Sequence, residues 1–529
     1  MLRITRHSIS RKRLVPAVPR PAPPELAVVH VAAEYWPVAQ IGGLAEAVHG
    51  LAAAQVRAGT RVAVVVPLYR RVREAGLPLE PFGRPIPVRV GTRDETVRIW
   101  RWSCRGEPEV LFVDHPPSFD RPELYGEGGG DYSDNAHRFA VFSLAALRLL
   151  PDIAAGPLVL HAHDWHTALV PVYLRILYEG VPPFCDVGAV LSVHNAGYQG
   201  HFPPESVTAV GLPADVYDWR RMEWYGRANW LKAGLAYADA VVTVSPTHAG
   251  ELRTPVGGFG LHEAFQDLGD RFVGILNGID GAAWNPATDP LLAAHYSPAD
   301  PAPKAQCKTA IQRELGLAVG ERIPLAAMSA RLVAQKGLDL VLSGVVERFP
   351  EVQFVFLGRG EPRYEEALGA LAQRFPGRVV LERNFHDALE HRLLAGADIL
   401  LMPSLYEPCG LTQMRGQRYG ALPVARRVGG LADTVENERT GFLFSEHTVE
   451  GLERALRRAL EVYGDPSEWD ARVRRAMARQ FGWSHSAAQY RELYHRALAR
   501  IAALAPKKAC RRAAPARCLP RLWRAPTVA

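Results

Sequence analysis

Short apolar, β-branched runs recur along almost the whole chain, and helix-like stretches separate many of them. Examples are Ala27–Ala32 (AVVHVA), Val62–Val66, Val110–Val113, Leu158–Leu160, Ala189–Val193 and Ala240–Val244. The series continues through Phe272–Leu276, Pro324–Met328, Gln353–Leu357 and Ile399–Met402. Runs this apolar belong to strands covered on both faces. Their alternation with amphipathic stretches such as Glu46–Arg57 and Gly337–Arg348 predicts parallel sheets flanked by helices. One sheet does not comfortably hold so many strands, so two doubly wound α/β domains are expected. The 529-residue length accommodates both. Proline density across Asn285–Gly320 marks a boundary or surface excursion between the halves.

Charge is unevenly placed. The chain has 62 Lys and Arg against 55 Asp and Glu, but residues 1–24 hold six of the basic residues and 502–529 another seven, with no acid in either segment. The intervening body therefore carries 49 basic and 55 acidic residues, a net of −6. Both tails are Pro-rich and lack periodicity, and disorder is expected there. Nucleic-acid binding is confined to those tails at most. No apolar run reaches the length of a membrane span. The six cysteines are scattered without a C-x-x-C pair, which points to a reducing, cytoplasmic setting rather than a disulfide scaffold.

A short echo links the halves. Gly42-Gly43-Leu44-Ala45-Glu46-Ala47-Val48 and Gly429-Gly430-Leu431-Ala432-Asp433-Thr434-Val435 agree at five of seven positions, each Gly pair preceding a probable helix. Glycine permits close backbone approach and a helix start offers free N–H groups, so both copies are expected to cradle a ligand.

Polar residues follow the apolar runs: His161-Ala162-His163-Asp164-Trp165-His166, His194-Asn195, Ser245-Pro246, Asn277-Gly278, Arg331 with Lys336, and Glu407. Ligands of open parallel sheets bind outside the carboxyl ends of the strands, so these groups describe a cleft between two domains. The His161, His163 and His166 cluster has no second Cys/His group to complete a metal site. His163 is expected to donate to a sugar or phosphate, with a strand-capping role as its alternative. Arg331 and Lys336 suit a diphosphate, through charge-assisted bonds of about 1.5–3 kcal/mol each.

Taken together, several strings resemble the bacterial glycogen synthase and plant starch synthase family of retaining glucosyltransferases: YSDN (132–135), HAHDWH (161–166), HNAGYQG (194–200), LKAGLAYAD (231–239), LNGID (276–280), SARLVAQKGLDL (329–340), PSLYEPCGLTQ (403–413) and VGGLADTV (428–435). The resemblance runs from about Ala27 to Tyr494. It implies a GT-B architecture of two Rossmann-like domains facing across a deep cleft. These are expected at 25–275 (acceptor side) and 276–482 (nucleotide-sugar side), with a helix over 483–503 crossing back and tails at 1–24 and 504–529. It further implies glucose transfer from ADP-glucose, or UDP-glucose, to the non-reducing end of an α-1,4-glucan such as glycogen, with retained configuration and neither metal nor cofactor.

By the same resemblance, Arg331 and Lys336 neutralise the leaving diphosphate, Glu407 holds the glucose hydroxyls, His163 contacts the transferred glucose and Asp134 lies toward the acceptor. Gly42, Gly43, Cys409, Gly410, Leu411 and Thr412 frame the diphosphate, with Cys409 expected to be structural. Asn195, Asn277 and Thr412 are further contacts, and Phe385 stacks on the base. Two departures stand out. Gln40 occupies the position of a family lysine near the diphosphate, and Arg415 occupies the second acid position of the E-x7-E pair found in related transferases. The readings that compete with an active synthase are another GT-B transferase with a different donor or a short acceptor, and a catalytically weak glucan-binding protein.

Overall fold

A computed structural model describes residues 26–153 and 156–504. The expected tails, 1–24 and 504–529, lie outside these residues apart from the backbone of Leu504.

The first half is built on a ten-stranded sheet. Seven of its strands are parallel neighbours, in the order Phe272–Gly274, Ala240–Thr243, Val187–Val193, Leu158–His163, Ala27–Val31, Arg61–Pro67 and Glu109–Asp114. Antiparallel strands around Arg93–Trp102 extend one edge. Ala27–Val31 and Leu158–His163 are buried at every position, as strands covered on both faces must be. The strand order reverses between these two, so the chain diverges there and leaves a crevice at their carboxyl ends.

The second half repeats the plan with six parallel strands: Val379–Glu382, Gln353–Leu357, Leu325–Ser329, Ile399–Met402, Leu422–Arg426 and Phe442–Phe444. Its order reverses between Leu325–Ser329 and Ile399–Met402, the strands that lead to Arg331 and to Glu407. Each half encloses its own apolar core.

A third apolar cluster is formed by the last helix, Trp483–Leu504, which lies on the first half. Its Trp483, Ala487, Tyr490, Leu493, Tyr494 and Ala497 pack with Val28, Ala47, Leu51, Val159 and Val190. The i, i+3, i+4, i+7 spacing of that face is the helical periodicity visible in the sequence. Among the described residues, Cys104, Cys307 and Cys409 are free thiols. Among the described residues, no helix is long and apolar enough to cross a membrane.

Candidate active site

The two switch points face each other across a cleft of about 1690 Å³. Of the residues singled out in the sequence, Gln40, Gly42, Gly43, Asn195, Asn277, Arg331, Lys336, Phe385, Glu407, Cys409, Gly410, Leu411 and Thr412 all line it.

On the second half, the turn after Leu325–Ser329 supplies Arg331 and Lys336. Gly337 has φ +74° and lies so close to the Pro403 carbonyl that a Cβ would fall 2.0 Å from it, which fixes Lys336 beside the Glu407 loop. Lys336 Nζ donates to Glu407 Oε2 at 2.6 Å, and the Ser404 hydroxyl donates to the same oxygen at 3.0 Å. Arg331 is exposed and, among the described residues, forms no ion pair. Burial pushes the Cys409 thiol up to about 12, so it stays protonated and serves packing.

On the first half, Gly42 and Gly43 open the helix Gly43–Arg57. A Cβ on Gly42 would meet nothing within 4 Å, so the loop leaves room for a ligand against its backbone. Its shape is held by Glu34, a residue that sequence reasoning missed. The Glu34 carboxylate accepts from Ile41 N at 2.8 Å, Gly42 N at 3.2 Å and the Tyr125 hydroxyl at 2.8 Å. Burial raises its pKa despite these bonds. The Gln40 amide folds back to donate to Glu46 at 3.2 Å.

The second copy of the echo behaves differently. Added Cβ atoms on Gly429 and Gly430 would fall 1.9 Å from Glu407 O and 2.0 Å from Cys409 O. This pair is packed against the backbone that carries Glu407 and does not line the cleft. The expectation of two ligand cradles is therefore corrected to one cradle and one buttress.

Two of the expected site residues do not line the open cleft. His163 is only 1% exposed, and both its ring nitrogens are used, Nε2 by His30 at 3.0 Å and Nδ1 by His194 at 3.0 Å. Its ring is engaged in that network, and its bonded neighbour His194 lines the cleft. Asp134 stands at the start of the helix Asn135–Ile153 and is held by Arg121 at 2.7 Å, off the cleft wall. The acids that do line the cleft floor there include Asp164 and Asp131. Asp164 has φ +57°, a strained conformation for a residue with a side chain, costing on the order of 1–3 kcal/mol. Its carboxylate accepts from His194 N at 2.7 Å, and burial raises its pKa to about 7. Burial likewise lowers His194 to about 3 and His30 to about 4, so these rings are neutral.

His30, His161 and His163 each offer a ring nitrogen within 4.8 Å of the others, near enough to hold an ion. Each of their nitrogens is already in a hydrogen bond, which a metal would have to break.

Residues 27–267 match the model of the starch synthase catalytic domain, and residues 312–476 match that of glycosyl transferases group 1. The glycogen synthase of Anaeromyxobacter dehalogenans (strain 2CP-C) is 44% identical over 476 residues, covering 88% of this chain and 98% of the relative. The chain belongs to the glycogen and starch synthase family. Another member of the family, the glycogen synthase of Syntrophotalea carbinolica, is 40% identical over 89% of this chain and 99% of its own. The fold is the family's GT-B architecture: the catalytic domain of starch synthase IV from Arabidopsis thaliana, solved bound to ADP and acarbose, superposes with a TM-score of 0.82. It is 35% identical, over 90% of this chain and 100% of that one. A sucrose-phosphate synthase from Thermosynechococcus elongatus shares the fold alone, at TM-score 0.57 and 17% identity.

Proposed function

We propose that this glycosyltransferase moves glucose from ADP-glucose to the non-reducing 4-hydroxyl of an α-1,4-glucan, with retention of anomeric configuration. The observation that carries the reading is the meeting, in one cleft, of two cations and a carboxylate from one sheet with an open Gly42–Gly43 loop and a neutral histidine from the other. The likeness to a starch synthase bound to ADP and acarbose supports a nucleotide donor and a glucan acceptor.

Breaking the C1–O bond leaves an oxocarbenium-like sugar and a diphosphate that takes the bonding electrons. Arg331, Lys336 and the Gly43 N–H at the helix start stabilise that developing charge, an effect that grows when water is excluded. No metal is invoked, because these groups match the leaving group in charge. Glu407 holds the sugar hydroxyls and favours positive charge on the ring. His194 offers a neutral ring nitrogen to the transferred sugar. The acceptor hydroxyl attacks the same face that the diphosphate leaves, and its proton passes to a departing phosphate oxygen, so the step balances without a further base. Phe385, half exposed at the cleft edge, is the surface for the adenine ring.

The test is nucleotide release from ADP-glucose and from UDP-glucose, each with and without glycogen. Primer-dependent ADP release is expected. Absence of primer-dependent release with both donors would overturn the reading. His194→Ala is expected to lower kcat by roughly 10- to 100-fold, the worth of one hydrogen bond made in the transition state.

A further inference from the structure

A continuous hydrogen-bonded chain runs from the crossing helix to the cleft through the interior of the first half. The Tyr494 hydroxyl accepts from Gln55 Nε2 at 2.9 Å, and Gln55 Oε1 meets His30 Nε2 at 2.8 Å. His30 Nδ1 meets His163 Nε2 at 3.0 Å, and His163 Nδ1 meets His194 Nε2 at 3.0 Å. Tyr494, Gln55, His30 and His163 are all at most 3% exposed. His194, the last member, lines the cleft, and among the described residues its Nδ1 has no hydrogen-bond partner.

Each neutral imidazole carries one N–H and one bare nitrogen, so the direction of the first bond decides every later one. With the Gln55 amide assigned as above, its oxygen can only accept, so His30 carries its proton on Nε2. His30 Nδ1 is then bare and accepts from His163 Nε2–H. His163 Nδ1 is bare in turn and accepts from His194 Nε2–H. His194 Nδ1 is left as a bare acceptor at the cleft. The Tyr494 hydroxyl is itself oriented, since it accepts from Gln55 and donates to His161 Nδ1 at 2.9 Å. His161 then donates through Nε2 to the Ser192 hydroxyl at 2.7 Å. Every member is satisfied in this arrangement, and turning the Gln55 amide over would require the Tyr494 hydroxyl, His161 and Ser192 to reverse with it.

We propose that Tyr494 is a positioning residue for glucosyl transfer, fixing through Gln55, His30 and His163 the tautomer in which His194 presents a bare Nδ1 to a hydroxyl of the transferred sugar. No proton moves along the chain; it sets a polarity. The proposal rests on the assignment of His194 to the sugar made above, and extends the site to a helix that does not touch the cleft. Without the Tyr494 hydroxyl, Gln55 Nε2 loses its acceptor and the amide is free to turn over. His30, His163 and His194 would then reverse together, and His194 would present Nδ1–H instead.

The experiment compares Tyr494→Phe, Gln55→Met and the double variant with the wild type on ADP-glucose and glycogen. It is joined by nitrogen-15 spectra of the labelled histidines in the full chain. Tyr494→Phe is expected to lower kcat about tenfold with a change of less than about twofold in donor KM, to mix the His194 tautomers, and to add nothing to Gln55→Met. Leu493→Ala, which trims the same helix face without removing a polar member of the network, controls for undocking and should keep a single His194 tautomer. A Tyr494→Phe enzyme with wild-type kcat, or one with reduced kcat and a single unchanged His194 tautomer, overturns the proposal. An inactive wild type would instead overturn the functional reading, and the tautomer spectra would still decide the chain.

Discussion

Arg415 of the second half reaches across the cleft floor to the Glu46 carboxylate of the first half, while its other terminal nitrogen donates to Glu390 at 3.2 Å. Its guanidinium also lies 4.2 Å from the centre of the Trp284 ring. The arginine noted in the sequence at an acid position is thus a tie between the two halves at the cleft, beside those of Thr247 with Asp433 and Glu251 with Gly429. Glu390 is 3% exposed, and burial already raises its pKa. Arg415→Ala would strand that carboxylate, at a cost of about 3 kcal/mol or more. Melting should fall by roughly 6–12 °C. Glu46→Gln, at the more exposed end, should change melting far less, and equal effects would contradict this account.

The two glycine pairs should respond oppositely to alanine. Gly42→Ala meets no atom in the free protein, so melting should be unchanged, while a methyl group at the ligand face raises donor KM. Gly429→Ala must push back the Glu407 carbonyl from a position with φ +40°, so kcat should fall along with stability. Donor titrations and melting curves on the two variants separate these outcomes.

Asp164 should give stability a pH slope. Its folded pKa of about 7 exceeds the ordinary 3.8, so between roughly pH 4 and 7 the folded protein holds a proton that the unfolded chain has released. Stability from this group is present below about pH 4, falls as pH rises through about 7, and is level above. Asp164→Asn keeps the shape and tolerates positive φ, so it should flatten that part of the melting profile between pH 5 and 8. An unchanged slope would assign it to other groups.

Gln40→Lys tests the loop's missing charge. A lysine there can reach the diphosphate or compete with Arg415 for Glu46. Donor KM is expected to fall about 3- to 10-fold at low salt, corresponding to about 1 kcal/mol of added charge pairing, and the gain should shrink as salt screens it. Kinetics in low and high salt provide the measurement.

Much of this site was legible because strand ends are legible. An apolar run followed by a polar residue located Arg331, Lys336, Glu407, Asn195 and Asn277 without knowledge of the packing. The burial of His163 was not legible, for a physical reason. Within the strand Leu158–His163, its ring is enclosed in the same hydrogen-bonded group as His161 and Tyr494, and a sequence does not state which face a distant helix will cover. Asp164 turns into the cleft only through its positive φ, and Glu34 acts on a loop seven residues away through its backbone N–H groups; neither leaves a periodic trace. The glycine echo was real as a pattern, but only the approach of Glu407 O and Cys409 O reveals that the second copy is packed shut.

On the proposed function, the bond between Lys336 and Glu407 makes donor binding an exchange of partners. A diphosphate arriving at Lys336 competes with a carboxylate already seated there, so net affinity is smaller than two cations alone would supply. The displaced Glu407 is released when a sugar arrives with the diphosphate. A free nucleotide frees the same carboxylate but brings no hydroxyls for it to hold. On that reading, intact donor and spent product are told apart by what becomes of a single side chain.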